Sequence, residues 1–138
     1  MEIAEIIYRG ELRSEARHLR SGQIIISDAP PDNQGKGEAF SPTDLMSTSL
    51  GMCMLTIMGI SARTHGFTID GTRIKISKVM AANPRRVSEV HVEFDMPPIK
   101  YSEKEKNMME QAAINCPVAK SLHADLLQKV KFNFRENF

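Results

Sequence analysis

Between Ser41 and Gly66 the chain carries Leu45, Met46, Leu50, Met52, Met54, Leu55, Ile57, Met58 and Ile60, separated mostly by Ser, Thr and Gly. At helical spacing these apolar side chains point in every direction around the axis. A helix apolar on all sides belongs in the centre of a protein or an oligomer. Its ends are marked: Ser41 suits the N-cap, Pro42 the first helical position, and Asp44 opposes the helix dipole from the first turn. Gly66, beyond Arg63 and His65, is the expected stop. Ser47, Thr48, Ser49, Thr56 and the flanking charges make the segment a poor membrane span. The strands of one 138-residue chain are too few to cover such a helix, so an intertwined homodimer with both central helices in its core is expected.

Around this helix the chain reads as short strands and two further helices. Residues 2–9, 11–19 and 23–27 suggest a three-stranded meander with a turn at Gly10, followed by a polar loop from Asn33 to Phe40. Residues 72–80 and 90–96 alternate apolar and polar side chains, with Asn83-Pro84 between them, as in a hairpin with one buried face. Ser102 and Glu105 form a capping box that opens a helix through Asn115. Pro117 restarts a second helix expected to reach Gln128, and Val130 to Phe134 is a last strand. The order βββ-α-ββ-αα-β predicts one α+β domain over residues 1–138, its antiparallel sheets enclosing the apolar helix.

Composition narrows the function. Eighteen Lys and Arg against seventeen Asp and Glu, spread along the whole chain, leave a formal charge of +1 and no basic footprint for nucleic acid. No apolar stretch resembles a signal sequence or a membrane span, so a cytoplasmic protein is expected, without membrane or nucleic-acid partners. His18, His65, His91 and His123 are scattered without an i,i+4 pair, and two cysteines are too few for a zinc ribbon. Neither a metal nor a cofactor is expected. No glycine-rich phosphate loop or Ser/His/Asp arrangement points to a nucleotide enzyme or hydrolase.

The two cysteines remain. Cys116 precedes Pro117 at a helix start, where free N–H groups would favour a thiolate. Cys53 lies mid-helix and would need a cation brought from elsewhere. The competing reading is that both are small buried hydrophobes.

Three segments decide between these. Arg20-Ser21-Gly22, Ser41-Pro42-Thr43-Asp44-Leu45 running into Leu50-Gly51-Met52-Cys53-Met54, and Asn115-Cys116-Pro117-Val118-Ala119 resemble the OsmC/Ohr family of osmotically inducible and organic hydroperoxide resistance proteins. The element order matches that family over essentially the whole chain. The resemblance implies a homodimer and a thiol peroxidase in which Cys53 attacks the peroxide, Cys116 resolves the sulfenic acid, and the two come within disulfide range. It also implies that Arg20 holds the thiolate and polarises the peroxide, with organic hydroperoxides as substrate and a dithiol as reductant. Arg suits the task because it is always charged and offers a planar fork of donors. Where better-studied members carry Asn-Pro-Glu, with the Glu orienting the Arg, this chain has Thr43. Asp44 or Glu38 is then the candidate orienting carboxylate, although Asp44 also has a helix to cap. Thr43 also favours an alternative, a small-molecule binding or redox-sensing protein with little turnover.

Overall fold

The computed structural model describes residues 1–135. Its elements follow the expected order: β1 (Ala4–Gly10), β2 (Arg13–His18), β3 (Ile24–Asp28), a 3-10 turn at Pro31–Asn33, α1 (Pro42–His65), β4 (Arg73–Ala81), β5 (Arg86–Asp95), α2 (Glu103–Ile114), α3 (Pro117–Ser121) and β6 (Leu127–Asn133). The chain divides into two compact units, Met1–Met46 and the remainder from Ser47.

The first unit is an antiparallel meander in the order β1-β2-β3. Its first turn is made by Glu11 and Leu12, both at positive φ, with Gly10 beside them. That backbone matches the twist of two antiparallel strands. The register sets Ile6, Ala16 and Ile25 in a row on one face, while Glu15 lies beside Ile7 and Ile26 on the other. Ile6, Ile7, Tyr8, Ile24, Ile25 and Ile26 are all exposed. Beyond β3 the chain folds back on itself: Asp28 N–H donates to Phe40 O at 3.1 Å, and Gly35 N–H to Pro30 O at 3.0 Å. Gly35 is required there, because a Cβ would fall 1.7 Å from the Ala29 carbonyl oxygen. The unit closes on a full capping box, in which Ser41 Oγ accepts Asp44 N–H and Asp44 Oδ2 accepts Ser41 N–H, each at 3.0 Å.

The second unit is built on a sheet ordered β4-β5-β6. β4 and β5 form the expected hairpin, but β6 runs parallel to β5, so this sheet is mixed rather than antiparallel. Parallel neighbours need a long crossover, and here α2 and α3 supply it. Ile74, Phe94 and Phe132 lie side by side across the three strands. Phe94 is fully buried, and its ring stacks on Phe132 with centroids 4.4 Å apart. A bulge at Ser88 lets both Val87 and Val90 face inward despite their odd spacing. α1 buries one stripe in this unit, including Leu50, Gly51, Met54, Met58 and Ala62. Gly51 gives β4 close access, since a Cβ there would lie 2.8 Å from Ile76 Cδ1. On the other side Met52 and Ile60 remain exposed. α1 is long and apolar enough to cross a membrane, a test that the core helix of a soluble protein also passes, and Leu50, Met54 and Met58 are fully covered by protein.

The helix at Pro117 ends at Ser121 instead of Gln128. Leu122 is extended, Leu126 N–H donates to His123 O in a turn, and Leu127 then pairs with Glu89. Strand pairing with β5 takes residues that local propensity leaves free to stay helical. The capping box of α2 forms as expected, with Ser102 N–H on Glu105 Oε1 at 2.8 Å and Glu105 N–H on Ser102 Oγ at 3.1 Å.

Candidate functional site

Pro117 organises the sulfur pair. It restricts Cys116 to an extended backbone (φ −66°, ψ 154°) and has no N–H of its own, so the first donors of α3 belong to Val118 and Ala119. Val118 N–H crosses to α1 and donates to Cys53 Sγ at 3.4 Å. Cys53 is half-buried at the edge of the α1 stripe, beside Met54. Cys116 is fully buried, and the Cys53 side chain is near enough to act on its thiol. Both are free thiols. The structure therefore brings together the two cysteines that the sequence singled out.

Their electrostatics are distributed differently from the sequence reading. Burial pushes the Cys116 thiol up from its ordinary value; the N–H groups of Ala119 and Val118 pull it down, while the Cys53 side chain pushes it further up. Desolvation thus outweighs the helix start at Cys116. Cys53, expected to receive no backbone help, accepts the Val118 N–H instead.

The remaining candidates lie in the first unit. Arg20 is exposed in the turn between β2 and β3, where Gly22 N–H donates to His18 O at 2.7 Å, and makes no carboxylate contact among the described residues. Thr43 Oγ1 lies 3.2 Å from Ser41 Oγ at the start of α1, and Asp44 is engaged in the capping box. The structure therefore groups Thr43 with Asp44, and Cys53 with Cys116.

One charged cluster escaped the sequence reading. Arg13 donates through Nε to Asp28 Oδ1 at 2.7 Å, and through Nη2 to Asp28 Oδ2 at 2.8 Å and Glu38 Oε1 at 3.2 Å. Glu38 N–H adds a bond to Asp28 Oδ2 at 3.1 Å. Asp28 is only 1% exposed, and the Arg13 hydrogen bonds hold its carboxyl below the usual carboxylate range despite that burial. The signal was available: Asp28 ends a β-branched run and stands directly opposite Arg13 in the meander register. Glu38, considered as a carboxylate for Arg20, is committed to Arg13.

The comparisons with known proteins come from two directions. A family model described as OsmC-like protein matches residues 35–130. Among solved structures, a Psychrobacter arcticus protein assigned to the osmotic-stress-induced and detoxification response is 52% identical, with a TM-score of 0.93 and 96% of each chain covered. A Legionella pneumophila organic hydroperoxide resistance protein OsmC shares 12% identity with a TM-score of 0.75, over 96% of this chain and 98% of that one. An OsmC-like protein from Mycoplasma pneumoniae shares 20% identity with a TM-score of 0.73, over 95% of this chain and 93% of that one. At these last two identities the likeness is one of fold. No curated protein matches the chain.

Proposed function

This chain belongs to the OsmC-like family, and from that premise we propose that it is a thiol-dependent peroxidase that reduces organic hydroperoxides. The observation that carries the reading is the sulfur pair, with half-buried Cys53 bonded by Val118 N–H and set against the buried Cys116 side chain. A neighbour named for organic hydroperoxide resistance supports a redox or peroxide-resistance role.

In this reading the Cys53 thiolate attacks the distal peroxide oxygen. An S–O bond forms, the O–O bond breaks, and the departing alkoxide takes a proton to leave as alcohol. Cys116, as thiolate, then attacks the Cys53 sulfenic acid, expelling hydroxide and forming a disulfide. A dithiol reopens it by two exchanges. The apolar residues flanking Cys53 favour alkyl or lipid peroxides over hydrogen peroxide, because each Å² of apolar tail buried is worth about 25 cal/mol. The cytoplasm, where free thiols persist, is the compartment proposed.

The test is a thiol count. One equivalent of organic hydroperoxide should remove two free thiols per chain, and in Cys116→Ser it should leave a sulfenic acid that dimedone traps. Two thiols persisting after treatment would sink the mechanism.

We assign Arg20 the cationic role that the family resemblance gives it. Arg13 is the rival proposed, because a guanidinium locked by a buried carboxylate is already oriented. Second-order rate constants with an alkyl hydroperoxide separate the two: Arg20→Ala should slow the reaction about tenfold or more. An unchanged rate would remove Arg20 from the mechanism.

The exposed Arg20 and the engagement of Thr43 with Ser41 favour the second reading, a binding or redox-sensing protein with little turnover. Thiols oxidised once but not recycled by a dithiol would select it.

A homodimer is part of the proposal. Ile6, Tyr8 and Ile25 on the first sheet, together with Met52 and Ile60 on α1, are large apolar side chains exposed in the single chain. Exposed apolar side chains on each unit mark interaction surfaces, and a second copy is the partner proposed. Equilibrium sedimentation at micromolar concentration should give twice the mass of the chain, and a stable monomer would overturn the assignment.

A further inference from the structure

We propose that a cleft at the start of β4 binds a small zwitterion, an α-amino acid whose carboxylate is held by Arg73 and whose ammonium is held by Asp70. The cleft shares no residue with the sulfur pair, and the proposal is independent of the peroxidase reading.

The cleft has a volume of about 470 Å³ and lies where β4 begins and β5 ends. That size falls within the range of small-molecule sites. Two carboxylates, Asp70 and Asp95, and two guanidinium groups, Arg73 and Arg135, line it. The strand register places Arg73 directly opposite Asp95, where a cross-strand ion pair is expected. Arg135 takes that carboxylate instead, donating through Nε to Oδ1 at 2.9 Å and through Nη2 to Oδ2. Both Asp95 oxygens are thereby engaged, and among the described residues neither Arg73 nor Asp70 has an ion-pair partner.

The charges left over are one of each sign. A ligand carrying only a carboxylate would gain Arg73 and meet the repulsion of Asp70, and a bare amine would meet the reverse. A ligand carrying both charges satisfies both groups. The planar fork of Arg73 suits the two oxygens of a carboxylate, and Asp70 accepts from an ammonium.

The frame is in place before a ligand arrives. Thr72 N–H donates to Ile69 O at 3.0 Å, closing a turn whose central residues are Asp70 and Gly71. Gly71 supplies the positive φ, 89°, that a type II turn needs at its second central position. Asp70 N–H is held by Thr68 Oγ1 at 3.1 Å. A Cβ on Gly71 would meet nothing within 4 Å, so open space adjoins the turn. Pro97 and Pro98 supply an apolar wall with a restricted backbone, which suits an aliphatic side chain such as that of leucine. Walls and charges already positioned cost little ordering entropy on binding.

The experiment is a titration of the full chain with L-leucine, followed by calorimetry and amide NMR. Leucine should bind saturably with Kd on the order of 1 mM or tighter, and should shift the amide signals of Gly71 and Arg73. Leucinamide keeps only the ammonium, as a peptide N-terminus does, and N-acetylleucine keeps only the carboxylate, as a C-terminus does. Each should bind about tenfold more weakly or worse. Arg73→Gln and Asp70→Asn, both at exposed positions, should leave thermal unfolding unchanged and weaken leucine about tenfold or more. Arg73→Gln should also bind leucine and leucinamide alike. No saturable signal up to roughly 20 mM leucine would overturn the proposal. So would either analogue binding as tightly as leucine, or an unchanged leucine affinity in Arg73→Gln. Because the titration involves neither peroxide nor thiol, each of these results leaves the peroxidase reading standing.

Discussion

Cys53→Ser is expected to abolish hydroperoxide consumption, with a fall in second-order rate constant on the order of 10³-fold or more. A serine hydroxyl is negligibly ionised near neutral pH, and its oxygen has no counterpart to the sulfenic acid on which the cycle depends. The substitution is nearly isosteric at a half-buried position, so the fold should persist and thermal unfolding should move by only a few degrees. Cys116→Ser should behave differently: its first turnover survives, and only disulfide formation is lost. A Cys53→Ser protein that still consumed an alkyl hydroperoxide at the wild-type rate would move the chemistry elsewhere.

The largest stability effect is expected at the second sheet. Phe94 is fully buried on β5, the middle strand of its sheet, between Ile74 and Phe132, and stacks face to face on Phe132. Phe94→Ala removes a ring's worth of apolar burial and leaves a cavity that three hydrogen-bonded strands cannot readily collapse around. The cost should be about 3–5 kcal/mol. In a domain of this size that lowers Tm on the order of 10–20 °C, measurable by circular dichroism or calorimetry. A shift of only a degree or two would mean that the aromatic stack is not the keystone of this unit. Gly51→Val addresses the same packing from the α1 side, since its side chain would drive into Ile76 Cδ1.

Features encoded locally were legible from residue order. The α1 and α2 capping boxes need only residues three apart, and the β4–β5 hairpin needs only period-two alternation around a turn. What escaped depends on partners distant in sequence. α3 stops at Ser121 because Leu127 pairs with Glu89, a contact that no helix propensity anticipates. The parallel course of β6 follows from the path of the crossover, which hydrophobic periodicity does not specify. Within the site, both cysteines could be chosen as candidates, but not which sulfur would accept the backbone donor. That depends on the missing N–H of Pro117 and on how deeply each thiol is buried, and burial is set by the packed structure. Arg13 and Asp28 were missed for another reason: each looks like an ordinary surface charge until the register sets them opposite one another.

The parallel pairing of β6 with β5 also bears on when the sulfur pair can come into being. α3, with Cys116 at its cap, lies inside the segment that must loop back from Asp95 before Leu127 can join the sheet. Closing so long a loop costs entropy before any contact repays it, which places this pairing late in folding. α1 and the β4–β5 hairpin can assemble earlier from nearer contacts. A folding chain therefore carries Cys53 as a solitary thiol, without its Val118 donor or its neighbouring sulfur, until β6 docks. Completion of the sheet therefore also sets when the two cysteines meet.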